Sequence, residues 1–478
     1  MGARVARVAK GLFPGLAALG ALAAGPAAAA TAGAPHLDGA ALGLIWTVPF
    51  VGILLSIALM PLLTPHFWHH HYGKVSAFWA LAFMLPFAQA FGPALAGYEL
   101  LHTLLLEYLP FIILLFALFT VAGGVRVTGS IQGTPLVNTA ILAIGTVIAS
   151  FMGTTGASML LIRPLLRANA HRRHRAHSVV FFIFLVSNIG GSLTPLGDPP
   201  LFLGFLKGVS FFWPTTHLFA KFVFCSVVLL ALYYVLDSVL YAREGRPVVA
   251  GEPESLGIEG GINLLLLGGV VLAVLMSGLW RPEGGLTIYH VEVPLQGIVR
   301  DLLLIGLAVL SLRLTNAESR RLNGFSWGPI EEVAKLFAGI FLTIIPAIAI
   351  LRSGEAGALG GLVALVNDGG RPDPVMYFWL TGGLSSFLDN APTYLVFFNT
   401  AGGDPALLMG EQALTLAAIS AGAVFMGANT YIGNAPNFMV RSIAEVQGVR
   451  MPSFFGYMLW SGGILVPLFV LVTLIFFR

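Results

Sequence analysis

A single cysteine, Cys225, stands among the 478 residues, inside an apolar run, so no internal disulfide can form. Charge is scarce too. Asp, Glu, Lys and Arg make up 10% of the chain, where a soluble domain needs roughly 25% to cover its surface. The net charge of +3 offers no footprint for nucleic acid. There is no CxxC, no P-loop and no HExxH, and no nucleophile–base constellation is visible, so the chain does not read as an enzyme. What is abundant is apolar: 57% of residues are hydrophobic and the mean hydropathy is +0.87. Most of the surface must therefore face lipid. The 57 Gly and 28 Pro are many for a bundle of plain helices; in a membrane they mark close helix packing or broken helices.

Residues 1–30 read as a signal peptide. Arg4, Arg7 and Lys10 form a basic start, an Ala/Leu/Gly run follows, and Ala27–Ala30 supply a small-residue cleavage region. Apolar stretches long enough to span a bilayer run over 41–63, 76–96, 103–122, 217–240, 262–280, 296–312, 336–352 and 453–477. Four further apolar segments carry interruptions. Segment 136–167 is interrupted at Gly153–Gly156, and 178–207 at Pro195–Pro200. Segment 375–400 is interrupted at Asp389–Pro392, and 413–446 at Asn429–Pro436.

The four fall into two matched pairs. Ser150-Phe151 and Ser386-Phe387 lie 236 residues apart, as do Gly197-Asp-Pro-Pro200 and Gly433-Asn-Ala-Pro436. Gly191 with Gly427, Thr194 with Thr430, Phe202 with Phe438 and Pro110 with Pro346 keep the same offset. One offset held over separated positions reads as a duplicated unit. Loop 163–177 holds Arg163, Arg167, Arg172, Arg173 and Arg175, with His171, His174 and His177, and so belongs in the cytoplasm. The matching loop 399–412 has no Lys or Arg and carries Asp404 and Glu411, so it belongs outside.

The expected fold is thus an all-α polytopic membrane protein of two inverted repeats. The first covers 31–250, with a re-entrant hairpin at 136–167 and a broken helix at 178–207. The second covers 251–478, with a hairpin at 375–400 and a broken helix at 413–446. Each repeat would have about five transmembrane helices plus its hairpin. Multi-pass insertion in a bacterial-type inner membrane follows.

Backbone that is not helical at membrane depth must be buried in protein or line a cavity. The four breaks are expected to meet near the midplane and form the substrate site. Gly153, Gly156, Gly197, Pro392 and Gly433 are the expected backbone breaks. Candidate ligands are Asp389 and Asp198, with Asn390, Asn188, Thr194, Thr154, Thr155, Ser386, Thr393, Asn429, Thr430 and Asn434. Asp389 ranks first and Asp198 second, because an acid at membrane depth is costly and marks function. A buried carboxyl can exchange a proton for a metal ion, and Na⁺ takes the oxygen ligands that carboxylate, amide and hydroxyl groups supply. Either Asp could instead simply cap a half-helix. Trp68-His-His-His71 reads as a solvated turn, the histidines of loop 163–177 as part of its exposed basic surface, and Glu331–Phe337 as a short interfacial helix. Glu107 is a second-tier site, snorkelling toward the outer face.

The stretches Ser187-Asn-Ile-Gly-Gly-Ser-Leu-Thr-Pro-Leu-Gly-Asp-Pro199 and Ser386-Phe-Leu-Asp-Asn-Ala-Pro-Thr393 resemble those of the ion transporter superfamily. The nearest branch is the ArsB/NhaD permeases, which include NhaD-type sodium:proton antiporters and citrate-transporter-like proteins. The resemblance covers essentially the whole chain after residue 30. It implies a homodimer, each protomer with a scaffold and a transport subdomain that moves as an elevator. Carboxylate-transporting relatives carry Ser-Asn-Thr at both hairpin tips; here the tips read Gly-Thr-Thr-Gly and Leu-Asp-Asn-Ala-Pro. A Na⁺/H⁺ antiporter is the first reading, with Na⁺ and H⁺ as transported ions and no cofactor. A Na⁺- or H⁺-coupled symporter of citrate or a similar carboxylate is the alternative, and an arsenite-type anion permease the third.

In a Cys225→Ser background, cysteines placed at Ala170 and Gly403 are expected to label from opposite faces of intact cells. Labelling of both from one face would contradict the inverted arrangement.

Overall fold

The computed structural model describes residues 35–129, 131–246, 255–368 and 371–478; the signal-peptide segment 1–30 lies outside them. Among the described residues, eight helices are long and apolar enough to cross a membrane, and a bent pair makes a ninth. They are α1 (Leu44–Leu63), α2 (Pro65–Phe91), α3 (Pro93–Ala122), α4 (Pro135–Met152), α8 (Trp213–Arg243), α9 (Ile262–Leu279), α10 (Leu295–Leu314) and α17 (Phe454–Phe476). The bent pair is α11 (Gly328–Thr343) with α12 (Ile345–Arg352). Among the shorter helices are α5 (Thr154–Ala168), α6 (Ala176–Leu185), α7 (Pro199–Leu206), α13 (Pro374–Phe387), α14 (Asn390–Thr400), α15 (Ala413–Met426) and α16 (Ala435–Val446). Among the described residues, strand is confined to small two-stranded ribbons, including β1 (Arg126–Thr128) with β2 (Gly257–Glu259) and β3 (Gly285–Ile288) with β4 (Val291–Pro294). The protein is an all-α polytopic membrane protein.

Two compact units divide the chain, each drawing on both halves of the sequence. One takes residues up to Phe116, with Leu272–Gly306 and Ser326–Ile350. Inside it, α11 packs on α2 and α1 packs on both. Ser76 Oγ donates to Lys335 O at 2.7 Å, where Gly339 lets the two backbones approach. Phe111, Phe337 and Phe341 form an aromatic cluster. Pro110 leaves a carbonyl without its helical N–H; just before it the helix widens into a π turn, Leu104–Tyr108, with Leu109 N donating to Leu104 O. Pro346, 236 residues on, follows a 42° bend at Ile344. The same residue type thus loosens one span and bends another.

The second unit takes Ala117–Val271, Leu307–Phe325 and Leu351–Arg478, and holds all four interrupted segments. Prolines set the helix starts. Thr134 and Asp373 cap α4 and α13, each just before a proline at the first helical position. The same hydrogen bonds recur 236 residues apart. Thr194 Oγ1 donates to Ser150 O, and Thr430 Oγ1 to Ser386 O. Ser150 Oγ donates to Gly190 O, and Ser386 Oγ to Met426 O. Leu196 N donates to Thr194 Oγ1, and Ile432 N to Thr430 Oγ1.

Several sequence expectations change. Trp68–His71 is not a turn but part of the first two turns of α2, where His70 and His71 contact carbonyls four residues back and Trp68 is buried. Glu331–Phe337 belongs to an unbroken α11. Glu107 lies in the π turn and is buried rather than snorkelling. The apolar stretch 76–96 is divided at Gly92, whose φ is +87°.

Loop 163–177 is only partly solvated. Arg172 and His177 are buried against Asp237, an acid in α8 to which the sequence pattern gives no prominence. Arg172 Nη1 lies 2.6 Å and His177 Nε2 2.8 Å from Asp237 Oδ1, while Asn138 Nδ2 donates to Oδ2 at 3.0 Å. Glu244 adds a second acid 3.5 Å from Arg172. This network joins the base of α4 to the last turns of α8. Removing one member of such a buried pair strands the other. Asp237→Leu is expected to lower unfolding stability in detergent by about 3–5 kcal/mol; a loss under about 1 kcal/mol would show the network to be energetically idle.

Candidate functional site

The site grows from four places where helices stop. In the first hairpin, α4 ends and α5 begins at Gly153, whose φ of +81° lets the chain reverse without a Cβ penalty. In the second, α13 gives way to α14 at Leu388-Asp389, both extended. The two segments expected as broken spans run α6, a 3₁₀ turn at Ile189–Ser192 and α7, and then α15, a 3₁₀ turn at Gly427–Asn429 and α16. The second arm of each hairpin packs on the second half of the other broken span: α14 on α7 and α5 on α16. Thr154 N donates to Gly197 O at 2.8 Å, tying one tip to one break. Gly197 lies directly on the Gly191 carbonyl, where a Cβ would collide. Two of the expected breaks move. Gly156 lies inside α5 and Pro392 in the first turn of α14, because the hairpins turn at Gly153 and Leu388-Asp389.

Asp198 is the centre. It sits at the N-terminus of α7 in extended conformation and is 1% exposed. Pro199 and Pro200 follow and carry no N–H, and its side chain makes no capping bond. The carboxylate turns instead to three side chains. Oδ1 accepts from Thr154 Oγ1 at 2.9 Å and from Asn434 Nδ2 at 3.0 Å, and Oδ2 accepts from Asn390 Nδ2. The three donors are neutral and come from the other three breaks. Asn434 stands 236 residues from Asp198, so matched positions of the two segments touch.

A chain of amides supports this contact. Asn434 Nδ2 also lies 3.1 Å from Ser187 O and 3.3 Å from Asn188 Oδ1. Asn188 donates to Asn437 Oδ1 at 2.8 Å, and Asn437 donates to the carbonyls of Gly427 and Thr430. Carbonyls freed by the second break are thereby linked to the first.

Asp389 plays another part. Its Oδ1 accepts from Ala391 N at 3.0 Å, so it caps α14, and Thr393 Oγ1 closes the turn on Asp389 O at 3.0 Å. The next residue, Asn390, is the one that reaches Asp198. Asn390 Oδ1 is buried with no hydrogen-bond partner among the described residues, and so is Asn429 Oδ1. Orphaned buried acceptors of this kind call for a cation or a water. Thr194 and Thr430 spend their hydroxyls on backbone, and Ser386 Oγ bonds Gly382 O and Met426 O while accepting from Asn429 Nδ2 at 2.9 Å. Thr155 is half-buried and is not among the donors to Asp198. The described residues contain no group of three or more His, Cys, Asp or Glu placed to hold a metal ion. Any ion here would rest on amide, hydroxyl and carbonyl oxygens around Asp198, with the Asp389 carboxylate within electrostatic reach.

A family model described as "Putative citrate transport" matches residues 39–477. An uncharacterized transporter of Mycobacterium bovis is 24% identical over 360 residues, covering 70% of this chain and 78% of its own length. An uncharacterized transporter of Mycobacterium tuberculosis matches with the same identity and coverage. The family match runs through all four chain breaks and every residue around Asp198, and this multi-pass membrane transporter belongs to the putative citrate transport family.

Proposed function

We propose that the protein exchanges Na⁺ for H⁺ across a bacterial-type inner membrane, with Asp198 as the group that the two ions share. One observation carries this reading: a buried carboxylate held by three neutral donors, with no Lys or Arg within the interruptions Gly153–Gly156, Pro195–Pro200, Asp389–Pro392 and Asn429–Pro436. Burying a bare charge is prohibitive, so such a group holds a proton or a metal cation. The orphaned Asn390 Oδ1 beside it is the further oxygen that Na⁺ would use. The hydrogen bonds repeated at an offset of 236 support two inverted repeats, and the unit that gathers all four breaks suits the moving part of an elevator. We place the protein as a homodimer on the strength of the family resemblance.

Citrate symport is the second reading, favoured by the family's description and by four helix N-termini at the breaks, whose positive ends attract carboxylates. Against it, Pro199, Pro200, Pro392 and Pro436 strip N–H donors from the first turns of three of those helices.

External Na⁺ should dissipate the pH gradient of acid-loaded proteoliposomes. Its apparent affinity should weaken as pH falls, by roughly tenfold per unit where one proton competes for one carboxylate. Radiolabelled citrate accumulation, with the gradient untouched by Na⁺ alone, would replace antiport with symport. Asp198→Asn should abolish the Na⁺ effect with folding intact. Asp389→Asn should keep it, since Asn is also a good N-cap. The reverse pattern would move the ion to Asp389.

A further inference from the structure

Arg163 and Arg167 stand four residues apart in the last turns of α5, so they share a face and repel. Arg167 Nη2 donates to Val127 O at 2.7 Å, which brings its guanidinium onto β1 beside Arg126. Arg167 lies within electrostatic reach of both Arg126 and Arg163. Arg163 extends to Gly324, where a Cβ would collide with the guanidinium.

Countercharge around them is spent. Glu259 pairs with Arg126 at 2.9 Å and also accepts from Ser319 Oγ at 2.8 Å; the Ser319 hydroxyl and the Arg126 guanidinium hold its carboxyl below the usual carboxylate range. Glu318 is taken by Arg321 at 2.6 Å. Neighbouring Arg320 is buried on the Thr120 and Ser311 carbonyls. Among the described residues, Arg163 and Arg167 have no ion-pair partner, and Arg163 Nη1 and Arg126 Nε are buried donors without an acceptor. Cationic donors buried without an acceptor are costly, and they favour an anion with several oxygens.

We propose that Arg126, Arg163 and Arg167 bind the phosphate of an anionic phospholipid headgroup. Guanidinium forks match phosphate oxygens two at a time. The place favours lipid over a soluble anion: these arginines end a hairpin arm that starts at the chain breaks, beside the basic segment expected at the cytoplasmic leaflet, where anionic lipids gather. The site is independent of the ion at Asp198.

The test is the preference of the full-length protein for phosphatidylglycerol over phosphatidylcholine, read from spin-labelled lipid association in nanodiscs. Wild type should prefer phosphatidylglycerol, and Arg167→Gln should cut the preference roughly fivefold. Arg163→Gln should do the same, and Arg243→Gln, on an exposed helix end, should leave it unchanged. Should the Arg163 variant fail to fold, the wild-type preference must still collapse at high salt. Equal loss in all three variants, or a salt-independent preference, would overturn the proposal. Competition by millimolar glycerol 3-phosphate or inorganic phosphate would assign the arginines to a soluble anion and overturn the lipid assignment. Glu252 and Glu254 lie outside the described residues; a lipid preference that appears only in Glu252→Gln/Glu254→Gln protein would mean that the chain neutralises its own arginines, which also contradicts the site.

Discussion

The carboxylate of Asp198, buried among neutral donors, is the contact on which the rest of the second unit converges. Its oxygens receive Thr154 from the first hairpin, Asn390 from the second and Asn434 from the opposite broken span. Moving any of the four breaks by one helical residue, a rise of about 1.5 Å with a rotation of about 100°, would lose a donor. The cross-packing of α5 on α16 and α14 on α7 is what holds the four ends in place. A charge in that position is tolerable only when something positive shares it, and on this electrostatic requirement we propose the node as a site for a proton or a cation.

Proline and glycine make that node possible by removing groups. Pro199 and Pro200 delete the N–H groups that would have drawn the Asp198 side chain into a cap, leaving it free to face the other breaks. At Asp389 the Ala391 N–H remains and the acid caps its helix, so the neighbouring Asn390 becomes the residue that reaches across. Two acids in similar sequence settings thus diverge because α14 offers the N–H of Ala391 at its second position, where α7 has Pro200. The close approach of Gly197 to the Gly191 carbonyl works the same way, since only a missing Cβ lets the unwound strand lie on itself.

The long apolar spans were legible because lipid demands a continuous apolar run. The interruptions were legible because Gly and Pro weaken a helix and an Asp is costly at membrane depth, so their clustering inside an apolar run marks a break. Segments 136–167 and 375–400 each emerge as two helices meeting at a turn, although Gly156 and Pro392 fall inside helices. The sequence pattern ranked Asp389 above Asp198; the geometry gives Asp389 the cap of α14 and Asp198 the three side-chain donors. Contacts set by tertiary distance left no local signal. Arg172 and His177 looked like loop charges, and only folding brings them onto Asp237, sixty residues beyond His177. The π turn around Glu107 likewise depends on how Pro110 is accommodated, and no residue pattern specifies that.

The central claim is that one carboxyl, Asp198, alternates between a proton and Na⁺. Difference infrared spectroscopy of the reconstituted protein addresses it directly, through the C=O stretch that only a protonated carboxyl shows. Adding Na⁺ should remove such a band from the wild-type spectrum and from that of Asp389→Asn, and should change nothing in Asp198→Asn. A Na⁺-induced loss of the same size that persists in Asp198→Asn would contradict the account.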